Sequence, residues 1–514
     1  MIDYASMKQP VVRTRFAPSP TGYLHIGGLR TALYAYAWAK KHGGQFLLRI
    51  EDTDQARYVP EAVEQIVRSL AWVGINPDEG VVGYEQGKEI QKGEHGPYVQ
   101  SQRIDLYQKS AQKLLDEKKA YWCFCTPERL EEMRKVQMAS KQMPKYDRHC
   151  YGLTAEQIEE KRKAGVPGVV RFFVPDGGPV FWNDAVFGKV SFSRDQLDDF
   201  VMMKADHFPT YNFANVVDDC DMRISHVIRA YEFLSSTPKH LLLYEAFGVP
   251  APVFAHASHI LGKDKKKLSK RHAAVSVDEY RKAGYLPQAL TNFIALLGWT
   301  HPDQKDVFSM DEFVTVFDIE SMHKTGAVFD TEKSLWMNGQ YIRALPAEAF
   351  TDLALPFLQA AGLIRVEAGN YTNVLANKPM NKKDIQAILS TEQSRVRRLD
   401  AIAEAVRFFF EPTLRYDKTI LVWKKGKLED VPTILAGVIE SLRAIDAKQW
   451  TAETIQKTAQ DFVASKNLGV GDVFWPFRVA LTGRVNSPSP QDVAVVLGKD
   501  ESIKRLEQAR GLFA

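Results

Sequence analysis

His25 stands in a turn-rich stretch, with Arg15, Pro18, Pro20 and Gly22 before it and Gly27 and Gly28 after it. An imidazole can donate a hydrogen bond to an oxygen that gains negative charge during a reaction. Glycines let a ligand approach the backbone closely. The first turn of a helix offers unpaired N–H groups and partial positive charge, which suits a phosphate. The two prolines fix φ and stiffen the loop. These residue types together suit a phosphate-binding turn. Alone, His25-Ile26-Gly27-Gly28 is served equally by a helix-capping turn with an incidental histidine.

A second group is Gly262-Lys263-Asp264-Lys265-Lys266-Lys267-Leu268-Ser269-Lys270-Arg271, which packs six cationic side chains into one short segment. Most lysine runs are solvated loops, but Leu268-Ser269 interrupts the charges in a way such a run does not need. Mobile ammonium groups can follow charge onto a departing phosphate and bind the transition state better than the ground state. A third group is Cys123, Cys125 and Cys150. Two close thiols and a distant one resemble part of a zinc site, which needs four N or S ligands. Cys220 reads as a small apolar residue.

The positioning elements can be read around these groups. Val11–Phe16 predicts a strand and Ala17–Gly22 a turn. A helix follows from about Ile26 to Lys41, with Leu29, Leu33 and Tyr36 near helical spacing. Gly43-Gly44 ends it, and Phe46–Ile50 predicts a second strand that runs into Glu51-Asp52-Thr53-Asp54. Strand, turn, helix and strand make a βαβ unit of a parallel, doubly wound sheet, with ligands beyond the carboxyl ends of the strands. Residues 98–209 read as an insertion of mixed character, with a helix over Arg103–Lys119 and a strand over Val169–Val174. The doubly wound pattern resumes at Tyr211 and runs to about Ile260. Beyond Lys267 the chain turns helical, and Lys382, Lys383, Arg395, Arg397 and Arg398 fall on a helical pattern over Lys378–Arg398, a candidate phosphate-contacting face. The expected division is 1–97 and 210–262 for the two halves of the doubly wound domain, 98–209 for the α/β insertion, 263–345 for a connecting region with the lysine loop, and 346–514 for an all-α region.

The 514 residues exceed what one hydrophobic core usually supports, about 250–300. Hydrophobic residues make up 45%, in the globular range. Lys plus Arg number 67 against 63 acidic residues, so any nucleic-acid face must come from local arrangement of charge. Four cysteines in so long a chain argue against a disulfide scaffold. The first residues lack an apolar signal core, Asp3 argues against a transit peptide, and no apolar run is long enough for a bilayer. A reducing cytoplasm, with no membrane partner, is the expected home.

The segment RFAPSPTGYLHIGGLRTALYAYAWAKKHGGQFLLRIEDTD resembles, nearly end to end, the start of glutamyl-tRNA synthetases. These are class I aminoacyl-tRNA synthetases. Gly28 stands where the class signature His-Ile-Gly-His has its second histidine, a departure usual in the glutamyl branch. Lys267-Leu268-Ser269-Lys270-Arg271 resembles the second class signature, Lys-Met-Ser-Lys-Ser, in its glutamyl form, and RHAAVSVDEY continues the likeness. The resemblance implies ATP-dependent ligation of L-glutamate to its tRNA through a glutamyl-adenylate, with Mg²⁺. It implies His25 at the α-phosphoryl group and Lys270, then Lys267, on the ATP phosphates. Thr21, Gly27, Gly28, Leu261, Ser269 and Arg271 complete the ATP positions, and Glu232 and Phe233 border the adenosine, Phe233 replacing a tryptophan common in relatives.

For glutamate, the resemblance implies Glu51 at the ammonium, Arg15 and Arg229 at the side-chain carboxylate, Tyr211 and Asn215 as neutral partners, and Ala17 and Ser19 at substrate-contacting positions. An arginine fork matches a carboxylate in two bonds, which is why this chemistry needs one. Relatives with zinc have Cys-x-Cys, a later Cys and a His or Tyr two residues on, but that last position is Gly152 here, so the fourth ligand is missing from its usual place. The likeness also implies that 98–209 holds the tRNA acceptor end, entered through Gly96–Arg103, and that the region with Pro476–Gly483 and Ser487-Pro488 reaches the anticodon. A monomer is expected. A form that also charges the glutamine tRNA stays open. The chain is too long for a glutamyl-queuosine tRNA synthetase. A small nucleotidylyltransferase would have no use for the glutamate residues, and a non-catalytic tRNA-binding relative would not need His25, Lys270 and Arg229 together.

Overall fold

The computed structural model describes residues 11–268, 276–424 and 426–513. Ser269, Lys270 and Arg271 of the lysine segment lie outside the described residues. The chain divides into two compact units, one of residues 1–281 and 287–331 and one of residues 282–286 and 332–514.

The first unit is built on the predicted βαβ start. β1 (Arg13–Phe16) leads through the proline turn to α1 (Ile26–Lys41) and back to β2 (Gln45–Leu48). Leu29 and Leu33 are buried on α1 as expected, Tyr36 is half-buried, and Ile26, Arg30, Tyr34 and several alanines are buried as well, so the helix is covered on most of its faces rather than along one stripe. Gly43, at φ 61°, follows the helix. A Cβ at Gly44 would meet the Val12 carbonyl oxygen at 2.0 Å, so the backbones come too close for any other residue. α2 (Ala62–Trp72), β3 (Glu79–Glu85) and β4 (Lys88–Lys92) follow.

After α3 (Ile104–Asp116), the chain leaves this sheet. β5 (Ala120–Cys123), α4 (Pro127–Ala139), α5 (Ala155–Lys163), β6 (Val169–Phe172), β7 (Val180–Asp184), β8 (Gly188–Phe192) and β9 (Val201–Met203) build two small antiparallel sheets, β5-β6-β9 and β7-β8. α6 (Tyr211–Asp221), β10 (His226–Ala230), α7 (Thr237–Phe247) and β11 (Val253–Ala257) then return to the first sheet. Its order is β11-β10-β1-β2-β3-β4, parallel throughout except for the β3–β4 edge pair. The order reverses at β1, flanked by β10 and β2. Ligands of open parallel sheets bind outside the carboxyl ends at such a reversal.

The second unit is mostly helical. Leu435, Val438, Leu442, Val473, Phe477, Leu481, Val493 and Leu506 are among its core residues. Gly483, in the left-handed conformation at φ 67°, closes the helix Val470–Thr482, the usual use of glycine at a helix end. To the helices is added a three-stranded antiparallel sheet of Ile364–Glu367, Asn370–Asn373 and Lys378–Met380.

The single basic helix expected over Lys378–Arg398 is not formed. Lys378 lies in the third strand, and Asn381 starts a helix that runs only over Lys382–Ser390, through a capping box with Asp384. Arg395, Arg397 and Arg398 come after it and pair with Glu392, Glu332 and Asp400 at 3.0, 3.1 and 2.8 Å. Lys382 pairs with Asp352 at 2.5 Å. Spacing alone could not register the cap at Asn381, which resets the start of the helix.

Candidate active site

A cleft of about 1290 Å³ opens over the carboxyl ends of β1, β2 and β10. Of the residues singled out from the sequence, Arg15, Ala17, Ser19, Thr21, His25, Gly27, Gly28, Glu51, Tyr211, Asn215, Arg229, Glu232, Phe233 and Lys267 line it. Leu261 does not: it pairs with Val328 in a short parallel ladder, and its neighbour Ile260 faces the cleft instead.

His25 is the N-cap of α1, and its Nδ1 accepts the Gly28 N–H at 3.1 Å. His25 is thus a helix cap, and capping through Nδ1 is compatible with a further role for Nε2. With Nδ1 used as an acceptor, the neutral ring carries its proton on Nε2, the atom suited to donate to a phosphoryl oxygen. A Cβ at Gly27 would lie 3.1 Å from the His25 ring, so this position has little room for a side chain. Lys267, on the described part of the lysine segment, forms an ion pair with Glu232.

The floor of the cleft is a buried charge network. Arg49, with no exposed side-chain surface, reaches Asp219 at 2.7 Å, Glu51 at 2.9 Å and Asp218 at 3.6 Å. Arg15 bonds Asp219 through Nε at 3.1 Å, and Arg103 bonds Asp218 at 2.7 Å. Gln100 and the Tyr107 hydroxyl also donate to Asp218, at 2.8 and 2.9 Å. Buried charges need such pairing, because an isolated one would cost far more than its partners return. Asn215 Nδ2 and Arg49 Nη2 both donate to Glu51 Oε1, at 2.8 and 2.9 Å. Burial pushes the Glu51 carboxyl above its ordinary range, opposed by Arg49 and Arg15. Glu51 is thus a buried acid whose charged form gains from a further cation.

Arg229, on β10 and 5% exposed, is held differently. Its Nε donates to His256 Nε2 at 3.1 Å, and its Nη1 faces His240 Nδ1 at 3.2 Å and the Tyr211 hydroxyl at 3.5 Å. Its Nη2 donates to Thr237 Oγ1 at 2.9 Å and the Phe233 carbonyl at 3.2 Å. Among the described residues, no carboxylate bonds Arg229. Burial lowers its proton affinity, and the nearby Arg15 works in the same direction. Burial also holds both histidines below their ordinary range, His240 far below, which keeps them neutral. A buried guanidinium among neutral acceptors, with a second arginine close by, has the charge and the burial to receive an anion.

Cys123, Cys125 and Cys150 bring their sulfurs within 4.8 Å of one another. Cys125 and Cys150 are 3.6 Å apart. Tetrahedral zinc with Zn–S near 2.3 Å would set sulfurs about 3.8 Å apart. The Tyr146 hydroxyl lies 3.2 Å from Cys123 Sγ and 3.3 Å from Cys125 Sγ. The residues therefore fit a four-ligand site, with an oxygen donor from four positions before Cys150 rather than two after it. His149 and Tyr151, which flank Cys150 in sequence, do not supply it.

Sequence reasoning missed Tyr146, Arg49, His240, His256 and Asp184. A Tyr-x₃-Cys spacing was readable for the first. Asp184 meets His256 across 72 residues and Arg49 meets Asp219 across 170, separations that leave no local signal.

Comparison with known proteins agrees with this geometry. The family model of class I tRNA synthetase catalytic domains for E and Q matches residues 11–336, and an anticodon binding domain matches 349–510. The site and fold thus define a class I synthetase. A glutamate--tRNA ligase of Clostridioides difficile is 43% identical over 500 residues, which are 96% of this chain and 98% of that one. One from Carboxydothermus hydrogenoformans is 43% identical over 503 residues, 96% of this chain and 99% of that one. The crystal structure of a glutamate tRNA ligase from Elizabethkingia meningosepticum, in complex with its amino acid, superposes with a TM-score of 0.85 at 35% identity, covering 98% of this chain and 100% of that one. The chain belongs to the glutamate--tRNA ligase family.

Proposed function

We propose that the protein joins L-glutamate to the glutamate tRNA in two steps. The glutamate α-carboxylate attacks the α-phosphorus of MgATP, and pyrophosphate leaves. The ribose of the terminal adenosine, at its 2′-hydroxyl by class resemblance, then attacks the acyl carbon, and AMP leaves. The observation that carries this reading is Arg229, buried beside Arg15 with no carboxylate partner among the described residues, in the same cleft as Glu51. A ligand with an ammonium and a carboxylate side chain supplies both missing charges.

In this reading Glu51 receives the ammonium, Arg15 and Arg229 the side-chain carboxylate, and Tyr211 and Asn215 the remaining polar contacts. His25 Nε2 donates to the α-phosphoryl group from one side. Lys267 leaves Glu232 to follow the phosphates from the other, with Lys270 beside it in sequence. Charge stabilised only in the transition state accelerates the step. Residues 98–209 hold the acceptor end and 346–514 the anticodon. Bound tRNA is needed for the first step as a positioning element. The protein acts as a monomer, in the cytoplasm.

Zinc, where bound, takes Cys123, Cys125, Cys150 and the Tyr146 oxygen, and holds the 120–153 segment together. Tyr146→Phe is expected to weaken zinc at least about tenfold, read by competition with a coloured chelator, with charging still measurable. Equal zinc affinity in the variant would remove Tyr146 from the ligand set.

Labelled glutamate, ATP and purified tRNAs for glutamate and glutamine test the main reading. Charging of the glutamate tRNA alone supports a discriminating enzyme. Charging of both keeps the chemistry and requires an amidotransferase downstream. Charging of neither refutes the proposal.

A further inference from the structure

Arg229 owes its orientation to a chain of bonds that starts outside the six-stranded sheet. Asp184 is the last residue of β7, in the small β7-β8 sheet. Its Oδ2 lies 2.5 Å from His256 Nδ1, and both side chains are fully buried. Its Oδ1 accepts the Val186 and Phe187 N–H groups, each at 3.0 Å, and faces the His256 N–H at 3.4 Å. His256 is the register partner of Arg229 across β10 and β11. A guanidinium Nε always carries hydrogen, so His256 Nε2 must be the acceptor of the 3.1 Å bond from Arg229. The ring proton is then on Nδ1, which is the atom that meets Asp184.

We infer that Asp184 and His256 are positioning residues for glutamate: the carboxylate fixes the His256 tautomer, and the tautomer fixes the Arg229 fork. The inference rests on the reading of Arg229 as a glutamate ligand. Neither residue lines the cleft. The pair also ties the β7-β8 hairpin to the amino-acid pocket, reinforced by the Ala185 N–H to Phe254 carbonyl bond at 2.8 Å. Burial opposes the charge on Asp184, and the contacts of His256 together with the Phe187 and Val186 N–H groups more than offset it, holding the carboxyl below its usual range.

Asp184→Asn breaks the logic without changing shape. Three backbone N–H groups face Oδ1, so the amide oxygen must stay there and the amide nitrogen must face His256. The ring would then move its proton to Nε2, where it meets the Arg229 Nε–H donor to donor. The expected result is a KM for glutamate raised on the order of tenfold, the scale of one buried unsatisfied donor. KM for ATP and the Kd for the glutamate tRNA stay unchanged. The ¹⁵N spectrum of ring-labelled protein, with the His256 signals assigned by their loss in His256→Gln, should show the proton on Nδ1 in the wild type and on Nε2 in Asp184→Asn.

A wild-type proton on Nε2, or an unchanged glutamate KM in folded Asp184→Asn, overturns the inference. Where that variant does not fold, His256→Gln and His256→Leu decide. The glutamine amide can donate to Asp184 and accept from Arg229, so it should keep the glutamate KM, and leucine should raise it. Equal effects of the two overturn the inference. Arg229→Ala separates the levels. If it raises the glutamate KM and Asp184→Asn does not, the positioning pair alone fails. If Arg229→Ala leaves that KM unchanged, the pocket reading fails and takes the pair with it.

Discussion

Two buried arginines, Arg49 behind Glu51 and Arg229 on the lining of the cleft, are treated in opposite ways. Arg49 is surrounded by Glu51, Asp218 and Asp219, and those carboxylates keep its charge well secured against burial. Arg229 is surrounded by imidazoles, hydroxyls and a carbonyl. The first arrangement completes itself. The second satisfies the N–H groups without a carboxylate in bonding contact, Asp219 acting on it only from further off, and its longest bond, 3.5 Å to Tyr211, is the weakest. The difference separates a guanidinium bonded by carboxylates from one that has none in bonding contact among the described residues. Both are buried, and the charge of the neighbours is what sets them apart.

The largest effect should come from the open arginine. Arg229→Ala is expected to lower tRNA-dependent ATP–pyrophosphate exchange with glutamate on the order of 10³-fold, the scale of losing one partner of a desolvated charge pair. Binding of the glutamate tRNA should be nearly unchanged, and thermal stability unchanged or slightly raised, because no buried carboxylate is left alone. Loss of tRNA binding in the same proportion would contradict the contrast.

Arg49→Met should do the reverse. It removes the cation shared by three buried carboxylates, leaving Glu51 only the Asn215 amide while Asp218 and Asp219 keep Arg103 and Arg15, and unfolding in urea should show a loss of about 3–5 kcal/mol. An unfolding free energy within error of wild type would mean that the floor network is not structural.

The smallest effect concerns pH. His256 is held neutral in the fold, below its ordinary value near 6.5. The unfolded chain therefore binds a proton at His256 that the folded chain refuses, so stability falls as pH drops from about 7 towards 5 and levels off above 7. Other buried groups titrate too, among them Glu51, whose raised carboxyl acts in the opposite sense. The difference between wild type and His256→Gln isolates the histidine. Melting temperatures should converge by a few degrees at pH 5 relative to pH 7. A constant difference across that range would show that His256 does not titrate on unfolding.

Much of the site was legible without coordinates. The strand, proline turn and helix before and after His25 follow from apolar spacing and from Gly43-Gly44, and the helix runs over Ile26–Lys41 as expected. These contacts are local, so residue order alone brings Arg15, His25 and Glu51 to the same sheet edge. Less was legible in the second unit. The basic pattern over Lys378–Arg398 ignored the Asn381 cap, and its arginines are taken up by nearby carboxylates.

The sequence by itself determined the class of chemistry, the doubly wound start and the residue types of the pocket. Each of those depends on spacing within one strand, turn or helix. Only the tertiary structure decided which arginine is bonded by carboxylates and which is not, that the Tyr146 hydroxyl stands beside Cys123 and Cys125, and that Asp184 reaches Arg229 through His256. Those outcomes depend on which side chains a parallel sheet and its inserted hairpin bring together from distant positions. Charge compensation in a buried site is a property of neighbours in space, and the order of residues along the chain does not carry it.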